Sequence, residues 1–127
     1  MQMQTLVQTG LSDRTPVKFG KLPNKGNVNV AIQFSKYAAT DEDKMAIMKQ
    51  GYSTDCDLYR PIFTKFDTDI KQVKKLIAKH RHNLLCIMIT TPDWKTVYER
   101  SRSQSAYNFF LQWIATNPKM YDLEETA

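Results

Sequence analysis

Glycine is scarce in this 127-residue chain: Gly10, Gly20, Gly26 and Gly51 are the only four, and no two stand close together. A phosphate-cradling loop or a dinucleotide fingerprint needs clustered glycines, so neither is present. Cysteine is scarcer, with Cys56 and Cys86 alone, which excludes a disulfide framework. Cys86 falls within Leu84-Leu85-Cys86-Ile87-Met88-Ile89 and reads as a small buried apolar residue. Histidine occurs twice, at His80 and His82. On a helix, residues two apart point about 200° apart, so this pair cannot share a metal. The acid pairs Asp55/Asp57 and Asp67/Asp69 could hold Mg²⁺ for a metal-dependent nuclease, a third and weakest reading, but turn and cap chemistry explains each pair more simply. Ser101, Ser103 and Ser105 lack the glycines of a nucleophile elbow. The expectation is a protein without catalysis, metal or cofactor.

Long hydrophobic runs are also missing. Nothing approaches the roughly 20 apolar residues that span a bilayer, and Met1-Gln2-Met3-Gln4 lacks the charged and apolar regions of a secretory signal. A soluble protein of a reducing, cytoplasmic-type compartment is expected, with no membrane partner.

What the chain does hold is an ordinary globular composition, 42% hydrophobic with fourteen aromatics, and a net charge of +5. One domain covering residues 1–127 is expected at this length. The charge is uneven. Ten basic residues against four acids lie between Arg60 and Arg102, whereas the last six residues carry three acids and no base. Residues 122–127 read as a frayed acidic tail.

Periodicity gives an α+β fold. Thr15 to Leu22 and Asn27 to Phe34 flank Pro23-Asn24-Lys25-Gly26, which predicts an N-terminal β-hairpin; Leu6 and Val7 could start a further short strand. Thr40 with Asp43 three residues on predicts a capped helix ending near Gly51. In Tyr52 to Phe66, Pro61 confines any strand to an edge or a loop. A helix from Asp67 to His82 follows, and then Leu84 to Thr91 as a strand buried on both faces. Thr91-Pro92-Asp93 predicts the start of a last helix reaching Thr116, with a break possible at Ser103 to Ser105. The sum is three helices packed on a small mixed or antiparallel sheet. Val30, Ile32, Val73, Ile77, Leu85, Ile87 and Ile89 are the expected core.

Two helical faces carry the functional expectation. In the Asp67–His82 helix, Ile70, Val73, Leu76 and Ile77 share one side, with His80 beside them. Lys71, Lys74, Lys75, Lys79 and Arg81 share the other, and only Asp67 offers one of them, Lys71, an i,i+4 partner. Such an unpaired row on a rigid rod can follow a phosphate backbone. Lys18, Lys21, Lys25, Arg100 and Arg102 are outer candidates, and Tyr37, Tyr52 or Tyr59 could stack on bases. The second face is aromatic: Tyr107, Phe109, Phe110, Leu111, Trp113 and Ile114 circle their helix, which predicts a homo-oligomer joined through Tyr107, Phe110, Trp113 or Ile114. The leading expectation is therefore a nucleic-acid-binding accessory protein, for single strand or duplex. The alternative is a small interaction module, an inhibitor or assembly factor such as viral or mobile-element chains supply. It would anchor by the aromatic helix and meet an acidic protein with the basic face.

Overall fold

The computed structural model describes residues 13–35, 40–54 and 60–116. Six strands form one sheet: β1 (Val17–Gly20), β2 (Asn27–Phe34), β3 (Ser53–Thr54), β4 (Ile62–Asp69), β5 (Leu84–Thr90) and β6 (Thr96–Ser101). Three helices accompany it: α1 (Asp41–Lys49), α2 (Ile70–His80) and α3 (Gln104–Thr116). The strand order is β1-β6-β5-β2-β4-β3, and every pairing is antiparallel.

The sheet carries a core on each face. On one side Val28, Val30, Ile32, Phe34, Ile87 and Ile89 meet Ile47 of α1 and Ile70, Val73 and Leu76 of α2. On the other, Ala31, Ile62, Cys86 and Met88 meet Ala106, Phe110 and Ile114 of α3. Strands β2 and β5 sit mid-sheet under both layers, and for that reason β5 has the most continuous apolar run. Of the expected core, Val30, Ile32, Val73, Ile87 and Ile89 are buried, while Ile77 and Leu85 are partly buried against it.

The N-terminal hairpin is a correction. β1 pairs with β6 at the sheet edge, and β2 pairs with β5 and β4 at its centre. The turn chemistry of residues 23–26 is real, with Gly26 at φ 100°, but the arms do not pair. Moving from β1 to β2 means crossing about 14 Å, three strand spacings of roughly 4.8 Å. Residues 21–26 reach that far at about 3.3 Å each, and Leu22 packs into the α2-side core on the way. Gly20 is needed for the edge pairing. Its φ is +72°, and a Cβ there would stand 2.0 Å from the Val97 carbonyl oxygen.

The expected last helix is half right. Pro92 to Ser101 is not helical: residues 91–95 form the turn of a β5–β6 hairpin, and the helix starts only at Gln104. Trp94 N–H donates to Thr91 O at 2.8 Å, Lys95 N–H to Thr91 Oγ1 at 3.0 Å, and Trp94 takes a left-handed φ of 72°. Thr, Pro and Asp open tight turns as readily as helices, so the same three residues supported both readings. The Ser103 hydroxyl caps α3 by accepting from Ala106 N–H at 3.1 Å.

Two further boundaries differ. β4 is no edge strand but runs between β2 and β3. Pro61 stands just before its first residue, where its missing N–H costs nothing and its carbonyl still accepts from Phe34. Asp67 belongs to β4, at a bulge where Phe66 and Asp67 face Asn29 alone. The cap of α2 is Asp69, which accepts from Lys71 N–H at 2.9 Å. The α1 reading holds, with Thr40 accepting from Asp43 and Gly51 at φ 97° behind the helix. Leu6, Val7, Tyr37, Cys56, Tyr59 and the acidic tail 122–127 lie outside the described residues. Among the described residues no helix is long and apolar enough to cross a membrane.

Candidate nucleic-acid interface

Helix α2 forms because its apolar residues repeat at helical spacing over β2 and β4, and Asp69 starts it. Ile70, Val73, Leu76 and His80 are buried. Lys71, Lys75 and Lys79 are exposed and Lys74 is half-buried, so the row stands outward as its periodicity requires. Lys71, Lys75 and Lys79 are each four residues apart, roughly 6 Å along the axis. Like charges at that spacing cost about 0.2–0.5 kcal/mol per pair. Asp67, the partner expected for Lys71, instead accepts from the Asn27 side-chain amide at 2.9 Å. Among the described residues the one ion pair is Lys44–Asp41, on α1, so the row repels itself without compensation.

Four of the outer candidates, Lys18, Lys25, Arg100 and Arg102, gather on the α2 side of the sheet. Lys18 lies opposite Arg100, and Arg100 opposite Ile87, whose side chain is in the α2-side core. Residues directly opposite in an antiparallel ladder share a face, so Lys18 and Arg100 face the α2 side. Lys25 precedes Gly26, whose carbonyl accepts from Ile70 N–H at the start of α2. Arg81 follows the end of the helix, and the Arg102 guanidinium donates to the His82 carbonyl there. Lys21 is exposed beside Leu22, which packs into the α2-side core. Lys18, Lys25, Arg81, Arg100 and Arg102 thus border the surface of the lysine row, and of the ten basic residues all except Lys74 are exposed.

That surface has a hollow. Between the end of α2 and strands β5 and β6 lies a cavity of about 260 Å³, with Arg81, Arg100 and Arg102 among its lining. The end of α1 lies by β4, where Lys65 donates to the Gln50 carbonyl, and its first turn carries Asp41, Glu42 and Asp43, the last acting on His80. Among the described residues no acid lines the hollow: Glu99, between Tyr98 and Arg100, points to the other face and accepts from the Tyr107 hydroxyl. His80, buried against the Phe34 ring at 5.2 Å, is held below the usual imidazole range by desolvation, with Asp43 opposing and Lys79 adding to that shift. His80 is a core histidine.

Several expected contributors are elsewhere. Tyr52 is buried, with its phenol pushed up to about 12 by desolvation, and is unavailable for stacking. Phe110 and Ile114 are core, packed under α3, so they cannot join an intermolecular surface. Tyr107 and Trp113 are half-buried against that core, and Tyr107 is also tied to Glu99. Of the α3 aromatics the one left outside is Phe109, 74% exposed. Cys86 is buried beside Ser101 Oγ at 3.1 Å, and burial pushes its thiol up to about 11, out of reach of thiolate chemistry.

Sequence reasoning missed Tyr98 and the hollow altogether. The signal was there: Thr96-Val97-Tyr98-Glu99-Arg100-Ser101 has strand-forming residues and places Tyr98 and Arg100 on one face. In comparisons with known proteins, the chain matches no family, no curated protein and no solved structure.

Proposed function

We propose that the protein binds the phosphate backbone of nucleic acid, without catalysis, through the outer face of α2 and the basic residues that border it. The observation that carries this reading is the unpaired row Lys71, Lys74, Lys75, Lys79 on one rigid helix, continued by Arg81, Arg100 and Lys18 on the same side of the sheet. A self-repelling row costs stability, and a polyanion turns that cost into affinity by releasing its counterions. With four or five phosphates engaged, log K falls against log salt with a slope of roughly −3 on single strands and −4 on duplex. A titration of the full chain against both, from low to physiological salt, measures it. Slopes near zero, or no binding at low salt, would remove the reading.

A second reading concerns the other side of the sheet. Phe109 is the most exposed large apolar residue described, and Trp113, one turn on, is half-buried beside it. This pair is the anchor we assign for a homo-oligomer, in place of Phe110 and Ile114, or for a protein partner. Phe109→Ser lowers the mass seen by light scattering at micromolar concentration if copies meet there. A monomer mass for the unaltered chain would remove the oligomer.

A further inference from the structure

The cavity at the end of α2 is mixed in chemistry, and the mixture is specific. Its walls include Ile77 from α2, Leu84 and Ile87 from β5, and Tyr98 from β6. Its lining also holds Arg81, Arg100 and Arg102, none of which has a carboxylate partner among the described residues. Guanidiniums bind phosphate oxygens by paired, charge-assisted hydrogen bonds. A bare phosphate would leave the apolar wall unused, and a purely apolar ligand would leave the cations unmatched. At about 260 Å³ the cavity falls just under the range of roughly 300–1,000 Å³ that holds drug-sized ligands, which suits one nucleotide and no duplex. Tyr98 also brings a phenol hydroxyl to the lining.

We propose that this cavity is a nucleotide pocket, filled by one nucleotide of a strand that lies along α2. Its base rests against the Tyr98 side and the aliphatic wall, and its phosphate lies between Arg81 and Arg100. Lys74 and Arg81 are seven residues apart, so they share a flank of α2 and lie roughly 10 Å apart along it. Backbone contacts on that flank therefore lead to the mouth of the cavity. The negative end of the helix dipole points the same way and would oppose an anion. One of the carbonyls that create it is already satisfied, since Asn83 N–H donates to the His80 carbonyl at 2.8 Å, and just past the helix Arg102 bonds the His82 carbonyl. The strand's path rests on the backbone-binding reading above, whereas the chemistry of the pocket does not.

The test titrates the full chain with adenosine monophosphate, adenosine and inorganic phosphate while following backbone amide shifts. The nucleotide is expected to move amides of β5, β6 and the last turn of α2, and to bind at least tenfold tighter than either half alone. Arg81→Ala and Arg100→Ala should each weaken it roughly tenfold, the worth of one charge-assisted hydrogen bond. Both arginines are exposed, so the melts should not move, and Arg100→Gln serves as a second variant. Shifts confined to other residues, inorganic phosphate binding as tightly as the nucleotide, or arginine variants that bind normally would each overturn the pocket. So would an aspartate-rich peptide that competes more strongly than the nucleotide. The source is read from an abasic single strand, expected to bind at least fivefold more weakly than the intact one; equal binding would overturn the strand as source. Lys71→Glu with Lys75→Glu, on the far arc of α2, should weaken oligonucleotides and spare the mononucleotide. Unchanged oligonucleotide binding in that variant would sink the backbone reading while the pocket stood.

Discussion

Helices α2 and α3 cover opposite faces of one sheet, α2 over β2 and β4 and α3 over β5 and β6, yet they treat their outer surfaces in opposite ways. α2 buries a four-residue stripe and leaves outside it cations that have no ion-pair partner among the described residues. α3 buries Ala106, Phe110 and Ile114 and keeps Tyr107, Leu111 and Trp113 half-covered on its flanks, with Phe109 exposed. The first helix gives up stability on its outer face through like-charge repulsion, and the second wraps apolar surface around its own core. Function is therefore sought first on α2, because the layer beneath it would fold as well, or better, with neutral residues in the lysine row.

The comparison can be tested at its base by removing one large side chain from each layer. Phe110→Ala should destabilise by about 3–5 kcal/mol and Ile87→Ala by about 2–5 kcal/mol, since both residues are almost fully buried and leave cavities. Denaturant midpoints give both values. A midpoint hardly moved by Phe110→Ala would mean that α3 is not seated on the sheet, and the same result for Ile87→Ala would unseat α2.

A smaller effect separates the layers by pH. The α2 side holds His80, whose imidazole sits below its ordinary value because burial disfavours the cation. As pH falls through about 6.5 the unfolded histidine takes up a proton that the folded one resists. Stability should decline in that window, and His80→Gln should flatten the decline. The α3 side holds Cys86, pushed up to about 11 by burial, and Tyr107, raised by burial and then by Glu99. There the unfolded groups lose protons first as pH rises above roughly 8.5 for the thiol and 10 for the phenol, so stability should fall on the alkaline side. Tyr107→Phe should reduce that loss. Denaturation series at several pH values check both limbs, and an acid limb untouched by His80→Gln would contradict the burial of that ring.

What could be read from the sequence follows the same division. α2 was legible because one period, 3.6, fitted Ile70 through His80 and separated core from charge without remainder; only its cap was misplaced, from Asp69 to Asp67. β5 was legible because an apolar run of that length has to be covered on both sides. The segment from Pro92 to Ser101 was not, because Thr91-Pro92-Asp93 satisfies a turn and a helix start equally, and only pairing with β5 decides. The failed hairpin has the same cause: a good turn string fixes the local bend, while strand partners are chosen by the whole sheet. These two errors hid the site's second half. Tyr98 and Arg100 become neighbours of Arg81 only once β6 is a strand, and Lys18 joins them only once β1 pairs with β6.

The central claim is that the outer face of α2 exists for a polyanion. Reversing Lys74→Glu and Lys75→Glu together tests it most directly, because neither side chain supports the core. The melt should stay within about 0.5 kcal/mol of the original, as expected of surface changes. Affinity for unrelated single strands should fall together, since phosphate contacts carry little sequence information, and the salt slope should shrink by nearly two contacts. Binding that survives unchanged at low salt, with a normal melt, would contradict the claim and leave the row as a solvated face.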